Sequence, residues 1–331
     1  MPCRTACIVT DLQIEVRVDD PTKHTMLTEH MERLKVLTAF DKNNEDSPVF
    51  TVTEAGLRNL TDFAQDYLDV TQLFFRIAGE TEWRTFAQVE EVFAFQWIDD
   101  LIQQERVISY YQPIVDAERA VYGYELLARF HSPKGRMIYP DEAFAAARAR
   151  GRLYALDRLC RITAVRHAAP LINQKAFINF VPTSIYSPEF CLQSTVAVAD
   201  QFNIDPYQLV FEVVETDKVD DVEHLKKILR YYREKGFHYA LDDVGEGYST
   251  VELLSDLQPH YMKLDRSFVD GVALDSKKQE NAEMFLMKAK ESGSVPLAEG
   301  IEREEDFKWL KEKGYQLFQG YFFGKPAPSP L

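Results

Sequence analysis

Apolar and polar positions follow two different rhythms along this chain. In the first eighty or so residues, "LQIEVRV" alternates Leu12, Ile14, Val16 and Val18, the period of a half-buried strand. "TEAGLRNLTDFAQDYL" reads as an amphipathic helix with Thr53 as its cap, and "QLFFRI" as a further strand. Residues 1–82 are therefore expected to form a small α+β domain. Over 83–105, Phe86, Val89, Phe93, Trp97 and Leu101 recur at helical spacing, which predicts one connecting helix, either packed on the C-terminal domain or serving as a signalling or dimer helix.

From about residue 106 onward, short apolar strands alternate with helical patterns. The strand candidates are "VISYYQPIV", "YGYELLARF", "AFINFVP", "LVFEVVET", "HYALDDV", "YMKLD", "VPLAEGI" and "YQLFQG". Between them lie segments such as "DDVEHLKKILRYYREKG", with Val222, Leu225, Ile228, Leu229 and Tyr232 at three- and four-residue steps. Strand and helix repeated in this way over about 225 residues suit a TIM-like (β/α)8 barrel better than an open sheet. The first two strands are joined only by "DAERAV", a hairpin-length link, so the first should run antiparallel to the second. The fold class expected is α/β, a barrel over 106–331 preceded by the small α+β domain.

Composition narrows the picture. A chain of 331 residues with 46% hydrophobic and 12% aromatic content can bury a full core. Its net charge of −15 argues against a nucleic acid polymer as partner. No apolar run reaches the roughly 20 residues of a membrane span, and "MPCRTACIVTD" lacks a signal-like apolar stretch, so a cytoplasmic protein without membrane insertion is expected. Cys3, Cys7, Cys160 and Cys191 are too few for a disulfide framework and read as reduced thiols. No histidine stands near Cys3 and Cys7 to complete a metal site.

The chemistry gathers at the C-terminal ends of the barrel strands, where this fold carries its active sites. Read in order, those ends supply Glu125, Asn179, Glu212 with Glu215, Asp242 with Asp243, Lys263 with Asp265, Glu299 with Glu302, and Gln319. Adjacent Asp242 and Asp243 repel one another unless a positive charge lies beside them. A helix start is the alternative, with Gly245 and Gly247 forming a loop. So many acids against one lysine call for cations. Oxygen donors with no His or Cys point to Mg²⁺ or Mn²⁺, and the surplus of acids leaves room for two ions.

These segments carry a resemblance. "YYQPIVD", "YELLAR", "FINFVP", "FEVVET", "LDDVGEGYST", "YMKLDRSFV", "LAEGIE" and "FQGYFFGKP" resemble, in order, the motifs of the EAL family of cyclic di-GMP phosphodiesterases, over residues 107–327. The resemblance implies hydrolysis of one phosphodiester of cyclic di-GMP to linear pGpG. It also implies that Glu125, Asn179, Glu212, Asp242 and Asp243 ligate metal, and that Glu299 activates water or holds metal. Lys263 would orient the attacking water, and Glu215 would anchor the loop after Asp243. On the nucleotide it implies contacts from Gln112, Leu126, Arg129, Asp157 and Gln319, and it implies a homodimer through the barrel. For Asp157 an ordinary exposed helix acid is the alternative.

The chain departs from the family pattern in three places. Leu126 stands where the family has Ala, Val244 replaces the usual Phe, and Glu246 replaces a small residue. The larger Leu126 is expected to crowd the strand or the nucleotide. Two other readings remain open: a cyclic di-GMP receptor that cleaves poorly, and another oxygen-ligand metal barrel of the enolase kind. The N-terminal domain shows no phosphate loop, complete metal motif or GGDEF-like stretch, and is expected to regulate or tether the barrel.

Overall fold

The computed structural model describes residues 11–34, 37–41, 49–213, 222–242 and 257–331. By contact the chain divides into two units. Among the described residues, one takes those from Asp11 to Gln104 together with Asp141–Leu156; the other takes Glu105–Pro140 and Asp157–Leu331. Asp141–Leu156, expected within the barrel domain, thus groups with the N-terminal residues.

The first unit holds a five-stranded antiparallel sheet of β1 (Gln13–Val18), β2 (Leu37–Asp41), β3 (Val49–Thr53), β4 (Leu73–Ile77) and β5 (Arg84–Thr85), ordered β2-β3-β1-β4-β5. Helix α1 (His24–Leu34) follows β1 and α2 (Glu54–Tyr67) follows β3, which is the split βαβ arrangement of ferredoxin-like domains. The alternation read in the sequence is the packing: Leu12, Ile14, Val16 and Val18 are buried with Leu57, Leu60 and Ala64 of α2. Thr53 does cap α2, its hydroxyl accepting from the Gly56 N–H at 3.1 Å.

The expected single helix over 83–105 is instead two, α3 (Val89–Ala94) and α4 (Trp97–Gln103), broken at Phe95 and Gln96. The buried residues are Val89 and Val92 in the first, and Ile98, Leu101 and Ile102 in the second. From Val92 a continuous helix would bring residue 99, not 98, to the same face. The break resets that phase. Phe93 and Trp97, expected on the buried side, are only half-buried.

Helix α5 (Pro140–Ala149) and the start of α6 (Leu153–Ala168) complete this unit. Between them Arg150, 1% exposed, donates to Glu54, Asp99 and the Val92 carbonyl, each at 2.7 Å. Arg152 holds the other Asp99 oxygen at 2.8 Å.

The second unit is the expected barrel. Its closed ring runs β6 (Val107–Asp116), β7 (Val121–His131), β9 (Lys175–Phe180), β10 (Leu209–Val213), β11 (His238–Leu241), β12 (Tyr261–Leu264), β13 (Val295–Ala298) and β14 (Leu317–Gln319), which pairs back onto β6. The short β8 (Met137–Ile138) extends β7 outside the ring. As the short link required, β6 is antiparallel to β7, and it is also antiparallel to β14. Inside the barrel Ile114, Phe177, Val210, Ala240, Tyr261, Leu297 and Leu317 form one apolar layer. Among the described residues no helix is long and apolar enough to cross a membrane.

Candidate active site

That apolar layer explains the site, because strand side chains repeat every two residues. Two residues beyond Phe177, Val210, Ala240, Tyr261, Leu297 and Leu317 stand Asn179, Glu212, Asp242, Lys263, Glu299 and Gln319. Glu125 joins them from β7, opposite Gln112 of β6 and Phe177 of β9. One turn of the pleat therefore converts a greasy floor into a polar ring at the C-terminal mouth.

The ring is centred on Lys263, which is fully buried. Its Nζ lies 2.7 Å from Glu299 Oε1, 2.8 Å from Glu212 Oε1, 3.1 Å from Asp242 Oδ1 and 3.9 Å from Glu125 Oε2. Burial opposes the lysine's charge, yet Asp242, Glu125, Glu212 and Glu299 outweigh it and hold the ammonium well above the ordinary lysine range. Burial also pushes Glu212 and Glu299 well above the usual carboxylate range. Lys263 offsets this only in part, because the neighbouring acids push the same way. Glu125 is held by two amides: Asn179 Nδ2 donates to Oε1 at 2.7 Å and Gln319 Nε2 to Oε2 at 2.6 Å.

The donor chemistry fits a hard divalent cation. With its nitrogen turned to Glu125, Asn179 keeps its carbonyl oxygen for another partner. Glu212 Oε2 and Gln319 Oε1 are buried acceptors without a hydrogen bond among the described residues. Among the described residues four acids face one ammonium there, an excess of oxygen donors that suits a divalent cation. No three acids, histidines or cysteines among the described residues form a ready metal cage; the acids converge on Nζ instead.

A cavity of about 180 Å³ opens beside the ring, lined by Gln112, Glu125, Glu299 and Gln319, with Arg266, Glu302 and Tyr321. Arg266 and Tyr321 were not singled out by the sequence reading. Arg266 pairs with Glu302 at 2.8 Å, and its stem lies across Gly300, whose φ of +68° and missing Cβ allow that approach. Asp265, counted with the strand ends, is a helix cap, accepting from the Ser267 N–H at 2.8 Å.

Leu126 and Asp157 do not line this cavity. Leu126 alternates to the face of β7 opposite Glu125 and is 4% exposed within the core, so its extra bulk packs into the protein instead of the cavity. Asp157 is 2% exposed and ion-paired with Arg161. It also accepts from the Val181 N–H at 2.9 Å and Ser184 Oγ at 2.8 Å, so it braces the turn that follows Asn179. Arg129 lies over the rings of Tyr110 and Tyr139, each at 5.5 Å. Asp243, Glu215, Val244, Glu246 and the "GEGYST" loop lie outside the described residues, as do Cys3 and Cys7.

The chain is similar to known proteins in sequence and fold. The EAL domain family matches residues 96–326. The Escherichia coli K12 protein PdeG, named a probable cyclic di-GMP phosphodiesterase, is 32% identical over 232 residues, covering 68% of this chain and 46% of its own length. The first three curated relatives are each matched over between 29% and 46% of their length, so the chain spans less than half of them. The crystal structure of a standalone EAL protein from Vibrio cholerae O395 in its c-di-GMP-bound form superposes with a TM-score of 0.59 at 34% identity, over 67% of this chain and 92% of that one. An EAL domain protein from Listeria monocytogenes EGD-e gives 0.62 at 25% identity, over 69% and 92%. Because that family's model matches more than half of its length, the chain belongs to the EAL domain family.

Proposed function

We propose that this protein hydrolyses one phosphodiester bond of cyclic di-GMP, releasing linear pGpG and lowering the second messenger in the cytoplasm. The observation that carries the proposal is the ring of oxygen donors around Lys263 at the mouth of an EAL barrel. Glu125, Asn179, Glu212, Asp242, Asp243 and Glu299 would hold Mg²⁺ or Mn²⁺, with room for two ions. The metal, when bound, supplies a polarised phosphate and a water acidic enough to act as hydroxide near neutral pH.

The protein's own groups do the rest. Asn179 and Gln319 fix the rotamer of Glu125, so this carboxylate meets its partners without reorganising. Lys263 keeps a positive charge among the acids and is placed to orient the attacking water. Gln112, with donor and acceptor on one amide, suits a guanine edge, and the planar guanidinium of Arg129 suits a phosphate. The N-terminal domain would regulate or tether the barrel, and the barrels would pair as a homodimer.

Incubation of the purified chain with cyclic di-GMP and Mg²⁺ or Mn²⁺, followed by chromatography, tests the reading. Linear pGpG is expected from the wild type and none from Glu125→Ala. Tight binding of cyclic di-GMP without product would make the protein a receptor instead.

A further inference from the structure

The acids of the site converge on a side chain the protein itself supplies. Glu212, Asp242 and Glu299 come from three different strands, yet each places an oxygen within 3.1 Å of one ammonium, and Glu125 stands at 3.9 Å. Lys263 reaches that point because Tyr261, two residues earlier, belongs to the apolar floor and the strand aims the lysine at the mouth. Glu212 is fully buried, as is Lys263. Four acids drawn this close, with Glu212 fully buried, would repel one another without a cation. The ammonium offsets much of that.

The same oxygens are the ones a divalent ion would use. An ion bound to Glu212, Asp242 and Glu299 would have to share them with a monovalent cation already at hydrogen-bond distance. We infer that Lys263 is a resident counter-cation: it holds the ligand acids in their working arrangement when metal is absent, and it competes with the metal for their oxygens when metal arrives. Lys263 is in this sense a positioning residue, acting through the carboxylates. The barrel accordingly stays folded without metal, and metal affinity is weaker than the acids alone would give. The inference rests on the proposed metal-dependent function and adds to it a role that precedes the reaction.

Binding of Mn²⁺ alone to the full chain tests it, read by calorimetry and by the electron spin resonance of free Mn²⁺, with thermal melts in EDTA and in Mn²⁺. Lys263→Met should bind Mn²⁺ at least about tenfold more tightly than wild type, melt lower than wild type in EDTA, and regain the wild-type melting temperature in Mn²⁺. A lysine serving only to support the fold would leave Mn²⁺ affinity unchanged or weaken it when removed, and either result in a folded variant overturns the inference. A variant that folds only with Mn²⁺ supports it directly. The wild type gives an independent measurement. Far-ultraviolet circular dichroism of the wild type in EDTA should match that in Mn²⁺, and loss of the barrel's signal in EDTA would show that metal, not Lys263, assembles the site. Absence of Mn²⁺ binding to the wild type would overturn the metal-dependent function as well, which separates the two failures.

Discussion

Two of the buried cations, Arg150 in one unit and Lys263 in the other, solve opposite problems. Arg150 is surrounded by as much negative charge as its geometry can use: Glu54, Asp99 and a backbone carbonyl meet its donors, and Arg58 and Arg152 engage the remaining oxygens of the two acids. Every oxygen of the two acids meets a guanidinium donor there. Among the described residues Lys263 faces four acids with one ammonium, and Glu212 Oε2 and Gln319 Oε1 lack a hydrogen bond. A balanced buried network is a structural joint; an unbalanced one is a demand for something from outside. The difference lies in the surplus and not in burial.

The largest effect that would sharpen this contrast is on activity. Glu125→Gln removes a charge from the surplus and preserves shape, so phosphodiester hydrolysis should fall by about a thousandfold, ~4 kcal/mol in the barrier. The melting temperature in EDTA should hold or rise. A stability loss without an activity loss would break the comparison. At the other cluster the expectations invert. Arg150→Met leaves Glu54 and Asp99 in place without their shared partner and should destabilise the first unit by about 3–5 kcal/mol in denaturant melts, while the barrel's Mn²⁺ affinity stays as in wild type.

Leu126→Ala restores the family residue, yet it should cost about 2–3 kcal/mol of stability with little change in kcat/KM, because the side chain fills core on the far face of β7. A gain in turnover of tenfold or more would show that Leu126 does impinge on the nucleotide.

The smallest expected effect is on pH dependence at the opposite end of the barrel. His238 and His260 stack with ring centroids 4.1 Å apart. Burial, with the neighbouring His260 and Lys175, depresses His238 to about 4, and burial, with Arg233 and Lys175, does the same to His260. Unfolded, both would titrate near 6.5. The unfolded chain therefore takes up protons first, and stability should fall as pH drops from about 6.5 to about 4, then level off. Allowing for solvent screening of half-buried rings, the loss should be about 2 kcal/mol for the pair. His238→Phe should flatten that slope.

The barrel and its ring were legible in the sequence for one physical reason. A strand buried on both faces still alternates, so an acid or amide two residues after a barrel-interior apolar residue announces a polar layer. The α3–α4 break was hidden, since "VFAFQW" contains neither Gly nor Pro and both helix faces are apolar at helical spacing. The burial of Asp157 was not legible, because sequence shows its Arg161 partner four residues on but not the depth at which they meet. The Arg150 joint was invisible for a different reason: its partners stand 51 and 96 residues away.

That joint has a consequence for how the chain can be cut and recombined. The barrel sequence lends residues 141–156 to a unit otherwise made of the first 104. A clean excision near residue 103 would strip Arg150 of both carboxylates and of its carbonyl, and a graft onto a foreign N-terminal domain would fail unless that domain brought equivalents of all three. The boundary between the two units therefore does not coincide with a place to cut the chain, and no single break delivers either unit whole.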